Sequence, residues 1–217
     1  MKHKQTSIVF LLLFSIFLNS CLGISMDITM NKNGSGIIAI EYKVSRTLET
    51  LGRLDGNEKW NTVPVGKADI ERTIERLPGV RLISFNSRED KTDMITDIKM
   101  EFSTPSDLMA FLDAPGRISA ISGDGNSGKL FLRLSDSEAI KNPGLKDLIE
   151  DISKNYAVRI GMTFHDQGQL SLSDNFGNDI TIPGSEIVSM GKTVSFSIPL
   201  YEILSSTDGI CAEFKWQ

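Results

Sequence analysis

The sequence predicts an α+β fold: a largely antiparallel, hairpin-built sheet with a few short helices packed on one face. Three observations predict it. Apolar and polar residues alternate over repeated short stretches, the period of a strand with one buried face. Clusters of Asn, Asp, Gly and Pro separate those stretches, as hairpin turns require. Apolar residues spaced three and four apart occur only in short windows, each bounded by a start or stop residue.

The first alternation places Leu22, Ile24, Met26, Ile28 and Met30 against Gly23, Ser25, Asp27 and Thr29. Asn31 to Gly36 is a turn rich in residues that tolerate positive φ, and the pattern resumes at Ile38, Ile40, Tyr42 and Val44, so the pair is an antiparallel hairpin. Arg46 to Leu54 fits a turn or two of helix, broken at Asp55-Gly56-Asn57, and Trp60 with Val63-Pro64-Val65 reads as loop. Lys67 to Leu77 is a short amphipathic helix with Ile70, Ile74 and Leu77 on one face, stopped by Pro78-Gly79.

Val80 to Phe85 is a strand, Asn86 to Thr92 a charged turn, and Met94 to Phe102 an alternating strand. Thr104-Pro105-Ser106-Asp107 opens a helix, with proline suited to its first turn. A further strand pair spans Ile118–Ile121 and Leu130–Leu134, and Asn142-Pro143-Gly144 precedes a helix from Leu145 to about Lys154. Val158 to Phe164 alternates again. The rest is turn-rich, with late strands at Val194, Phe196, Ile198 and at Ile210 to Trp216.

The N-terminus is a different object. Lys2, His3 and Lys4 precede an apolar run from Ile8 to Leu18, interrupted only by Ser15. That run is shorter than the roughly 20 apolar residues of a membrane span and fits a secretory signal peptide. It ends in Leu18-Asn19-Ser20-Cys21, which resembles the lipobox of bacterial lipoproteins. The resemblance implies cleavage after residue 20 and acylation of Cys21 with palmitate-type chains. It implies a lipid-anchored, extracytoplasmic protein of the cell envelope. Residues 21–217 are long enough for one well-buried domain or two small ones, and their pattern reads as a single α+β domain. Because the strand pattern starts directly after Cys21, no flexible tether intervenes and that domain sits nearly against the bilayer.

The chain carries 23 Lys and Arg against 28 Asp and Glu, a formal charge of −5. Loss of Lys2 and Lys4 with the leader deepens the negative balance, which disfavours nucleic acid as a partner. Cys21 and Cys211 are the two cysteines. With Cys21 acylated, Cys211 has no intramolecular partner; among Ile210, Ala212 and Phe214 it reads as a small buried apolar residue rather than a reactive thiol.

Catalytic and metal motifs are incomplete. Gly123 to Lys129 matches the opening of a P-loop, but Leu130 stands where Ser or Thr is needed and begins a strand, not a helix. An EF-hand starting at Asp124 would need Glu where Ser135 stands, and Asp174, Asn175, Asn178 and Asp179 read as turn residues. His165, the one histidine after the leader, has no Gly-x-Ser-x-Gly elbow and too few Cys or His companions for zinc. No catalytic residue, metal or cofactor is therefore expected. Paired carboxylates or His165 would have to serve an unrecognised hydrolase, the last-ranked reading. Trp60, in the polar loop Asn57 to Asn61, is the candidate ligand contact.

Further soft motifs accompany the lipobox: Asn33-Gly34-Ser35-Gly36, Leu77-Pro78-Gly79-Val80, Phe102 to Leu108 and Lys192 to Leu200. With them the chain is similar to bacterial lipoproteins with an LppM-like domain. That similarity implies an extracytoplasmic α+β domain without catalytic residues and a lipid or glycolipid as ligand; it carries over no residue but Cys21. The expected function is a non-enzymatic envelope binding or structural domain, with a groove between sheet and helices as its ligand site. The alternative is an interaction lipoprotein with an envelope or host protein as partner.

Overall fold

A computed structural model of the chain describes residues 22–45, 66–113, 119–135, 147, 150–151, 153 and 155–217. Cys21, Trp60 and the stretch from Arg46 to Val65 lie outside the described residues; of the helix expected over Leu145–Lys154, Asp147, Glu150, Asp151 and Ser153 are described and are helical.

The strands are β1 (Leu22–Met30), β2 (Gly36–Ser45), β3 (Val80–Glu89), β4 (Asp93–Phe102), β5 (Ser119–Gly123), β6 (Gly128–Ser135), β7 (Ala157–Thr163), β8 (Gly168–Ser173), β9 (Glu186–Met190), β10 (Thr193–Pro199) and β11 (Ile210–Trp216). Among the described residues, three further helices are complete: α1 (Lys67–Ile74), α2 (Pro105–Leu112) and α3 (Leu200–Ser205). The protein is thus α+β and mostly sheet. Its strands form two sheets where the sequence suggests one: a seven-stranded sheet in the order β3-β4-β2-β1-β7-β10-β9, and a four-stranded sheet in the order β5-β6-β11-β8. Alternation reports that a strand has one buried face but not which strands share a sheet. All neighbours are antiparallel except β1 and β7, which run parallel.

The first hairpin shows how local chemistry sets register. Asn33 Oδ1 accepts from the Ser35 amide (3.2 Å) and hydroxyl (2.8 Å), and Gly34 takes φ +81°. This turn fixes Leu22 opposite Val44 and Met30 opposite Gly36. Helix α2 starts where its cap residues predict. Thr104 accepts from the Asp107 amide (3.2 Å), its hydroxyl donates to Asp107 Oδ2 (2.7 Å), and Pro105 occupies the first turn.

The sheets face each other through their apolar sides. Met26, Ile28, Met100, Met162, Val194 and Phe196 from the large sheet meet Leu130, Leu172, Ala212, Phe214 and Trp216 from the small one in one buried cluster. The Phe196 and Phe214 rings lie 5.9 Å apart, and Phe164 stacks on Trp216 at 5.2 Å. Each helix adds one buried apolar residue or more to the interior, Ile70 from α1, Leu108 from α2, Leu200 and Ile203 from α3.

Two local expectations differ from the structure, and a third, the turn after Gly123, is met. Asn86 to Glu89 extends β3 rather than forming a turn, because these residues pair with Asp97 to Met94; the turn is confined to Asp90–Thr92. The stretch called turn-rich also contains β8 and β9, and α3 follows Pro199. The residues Gly123 to Lys129 make the β5–β6 turn. There Asp124 Oδ1 accepts from the amides of Asn126 (2.7 Å) and Ser127 (3.1 Å), and its carbonyl accepts from Trp216 Nε1 (2.7 Å). That turn packs on the β1–β2 turn so closely that a Cβ on Gly125 would lie 2.3 Å from the Gly34 nitrogen.

The same turn makes a pH prediction. The amide of Asn126 first, then that of Ser127, holds the Asp124 carboxyl below its ordinary range, and Asp90 and Asp174 are lowered by comparable turn bonds. Groups with depressed folded pKa values contribute stability above the unfolded value and lose it as pH falls through the folded value. Melting temperature should therefore drop below about pH 4, the unfolded carboxylate range. Asp124→Asn, which keeps the Oδ1 acceptor, should flatten that drop; thermal melts between pH 2 and 7 check it.

Candidate functional site

The face of the large sheet turned away from the small one carries the polar positions of each strand, and register alone arranges them in rows. One row reads Asn86, Asp97, Glu41, Ser25, Arg159, Ser197 and Glu186 across all seven strands. The next reads Lys99, Ala39, Asp27, Gly161, Ser195 and Val188. A third reads Glu101, Ile37, Thr29, Thr163, Thr193 and Met190. Ala39 and Gly161 flank Asp27, so its carboxylate stands between two small residues, and a Cβ on Gly161 would meet Asp27 Oδ1 at 2.6 Å.

Two shallow depressions occupy this face. One, of about 290 Å³, is bordered by Ser25, Asp27, Ala39, Glu41, Asp97 and Lys99. The other, of about 360 Å³, is bordered by Ser25, Glu41, Lys43, Tyr156, Arg159 and Ser197, towards the Leu22 end of β1. They share Ser25 and Glu41. Arg159 Nη1 donates to Asp27 Oδ1 (2.9 Å) and Oδ2 (2.8 Å), and to Ser25 Oγ (3.3 Å). Thr163 and Thr193 share a hydroxyl hydrogen bond of 3.1 Å. Tyr156 donates to Asp93 Oδ1 (2.8 Å).

Glu41 and Asp97 are direct cross-strand partners of like charge, an arrangement that destabilises a sheet unless bridged. Arg88 bridges them, with Nη1 on Asp97 Oδ2 and Nη2 on Glu41 Oε2 (3.1 Å), and Lys43 adds a contact to Glu41 (3.3 Å). Nearby, the Arg81 hydrogen bond holds the Glu101 carboxyl below its ordinary range. Arg88→Ala should cost about 0.5–1 kcal/mol at low ionic strength, since these charges are half exposed, and much less in 1 M salt, where the Debye length is about 3 Å. Urea denaturation at two salt concentrations measures the difference.

Chemically, this surface offers hydroxyls, carboxylates and guanidinium groups in alternation, the donors and acceptors that bind a polar, hydroxylated or zwitterionic group. On the inner side, burial alone raises the half-buried Tyr42 phenol to about 12, so it stays protonated at all working pH values.

The residues singled out in the sequence lie elsewhere. His165 is exposed just past β7, and among the described residues it bonds no Ser, Thr or Cys. Asp174 Oδ1 accepts from the amides of Phe176 (2.8 Å) and Asn178 (2.9 Å), so its oxygens serve the turn. Among the described residues no three His, Cys, Asp or Glu side chains are grouped to hold a metal ion. Cys211 is buried and its thiol donates to Asn175 Oδ1 (3.2 Å). The two depressions lie on the outer face of the large sheet, not between sheet and helices, where the sequence places a ligand groove. Sequence reasoning missed Asp27, Arg159 and Arg88 because a polar residue at an alternate position marks an outward face and nothing more. The chain matches no family model, and no curated protein matches it.

Proposed function

We propose that the protein is a bacterial envelope lipoprotein, anchored through acylated Cys21, whose domain binds a lipid or glycolipid headgroup without catalysis. The observation that supports this most is the position of β1. It begins at Leu22, immediately after Cys21, and runs through the middle of the large sheet. The larger depression opens at that end, beside Gly23 and Ser25. An anchor on Cys21 therefore brings the Arg159–Ser25–Lys43 surface to headgroup level, with acyl chains left in the bilayer. The helices all lie on the inner side of the large sheet in this reading, and residues 21–217 act as one membrane-proximal unit. The resemblance of the leader to a lipobox, and of the chain to lipoproteins with an LppM-like domain, points the same way.

The test is native mass spectrometry of the full chain extracted from its own membranes in detergent. Retention of a lipid-range mass by the parent, and its loss in Arg159→Ala with melting temperature unchanged, is the expected result. A parent chain free of any such mass removes the headgroup role. The alternative, an interaction lipoprotein with a protein partner, draws support from the exposed apolar residues of β9.

A further inference from the structure

The described part of the structure has four sheet edges, and three are protected. β3 carries a bulge at Ile83 and the charges Arg81, Arg88 and Glu89. β5 is five residues long and lies against α2. β8 is followed by a segment whose Ile180 amide donates back to the Leu172 carbonyl (3.2 Å). β9 is as short as β5 and opens with Glu186, but among the described residues it has neither a bulge nor a helix or segment laid against its free side. It pairs only with β10, its five residues are all exposed, and Ile187, Val188 and Met190 are 51%, 37% and 70% accessible. An apolar edge of this kind is a template for another strand.

The sequence of the edge indicates which strand. Glu186 opens β9 and Lys192 lies just beyond its end, in the turn to β10. Among the described residues neither has an ion-pair partner. Opposite charges at the two ends make the strand complementary to itself when it runs antiparallel. A two-fold axis at Ser189 sets Val188 against the partner's Met190 on one side, with the two Ser189 residues face to face, and brings Glu186 towards the turn of the partner that carries Lys192. A register one residue shorter, centred on Val188, sets Glu186 against the partner's Met190 and loses both pairings. In an antiparallel ladder alternate residues send their amides to the free edge. With Met190 and Thr193 closing a two-residue turn, those residues are Ile187 and Ser189.

We propose that β9 is a homodimerisation edge, through which two copies of this chain pair antiparallel about Ser189 and join their large sheets into one. The inference does not rest on the headgroup reading. It has a geometric consequence for an anchored protein. The two-fold axis is normal to the sheet, so the two β1 starts point to opposite ends, and copies sharing one bilayer lie with the sheet along its surface.

A short edge buries less area than a standard interface, so covalent capture is the suitable probe. Antiparallel hydrogen-bonded partners have Cα atoms about 5.5 Å apart, within disulfide range. The full chain carrying Ser189→Cys should form, under mild oxidation, at least tenfold more covalent dimer than the parent or than Ser84→Cys on the β3 edge. Adding Glu186→Lys should cut that yield several-fold, and adding Lys192→Glu as well should restore it. Far-UV circular dichroism of each variant confirms that these exposed substitutions leave the fold intact. Equal dimer from Ser189→Cys and Ser84→Cys overturns the proposal, as does a yield indifferent to the charge changes.

Discussion

Phe214→Ala should destabilise the protein by about 3–5 kcal/mol, the usual cost of removing a fully buried phenylalanine from a packed core. Phe214 is 0% exposed at the centre of β11, the strand that β6 and β8 both pair with, and its ring faces Phe196 across the two sheets. Truncation removes the transfer free energy of the ring and leaves a void that neither sheet closes without bending. Against a total stability of about 5–15 kcal/mol, that loss takes a large part of what holds the small sheet on the large one. A conservative Phe214→Leu should cost clearly less, because most of the volume remains. Urea titrations of the three chains measure both differences; equal stability of parent and Phe214→Ala would mean that the sheets do not share this core.

Cys21→Ala should abolish acylation and block removal of the leader. In the lipoprotein reading the thiol is the only attachment point for the diacylglyceryl group, and cleavage depends on that modification. One myristoyl-length chain gives only marginal binding, with an association constant of about 10⁴ M⁻¹, so durable anchoring needs the two or three chains that a processed lipoprotein carries. The variant should incorporate no palmitate analogue during growth and run larger on a gel than the parent, by the mass of the leader. Label retained in Cys21→Ala would place the lipid elsewhere or remove it from the account.

The first hairpin, α1, β4 and α2 are legible from residues because each is specified locally. Asn33-Gly34 makes the turn, Thr104-Pro105 starts the helix, and alternation in Met94 to Phe102 marks the buried side. What is not local is not legible. Nothing in β1 or β7 announces that they lie parallel and adjacent, and nothing in Leu130 or Leu172 says they belong to a second sheet. Arg88 reads as part of a charged turn because its neighbours are polar on both sides; an edge strand with most of its surface in water has no apolar stripe to betray it. β9 escapes notice for a different reason: its apolar residues Ile187 and Val188 are adjacent, so the stretch shows no alternation. The candidate site is built from register, with Asp27 reaching Arg159 only because β1 and β7 are neighbours. Cys21 and Trp60, the two site residues that the sequence singles out, lie outside the described residues.

The intact mass of the protein extracted from its membranes tests the account most directly. The extracted chain should begin at Cys21 and carry the added mass of a diacylglyceryl group, with or without a further acyl chain on the freed amine. A chain that begins elsewhere, or that begins at Cys21 with no added mass, contradicts it.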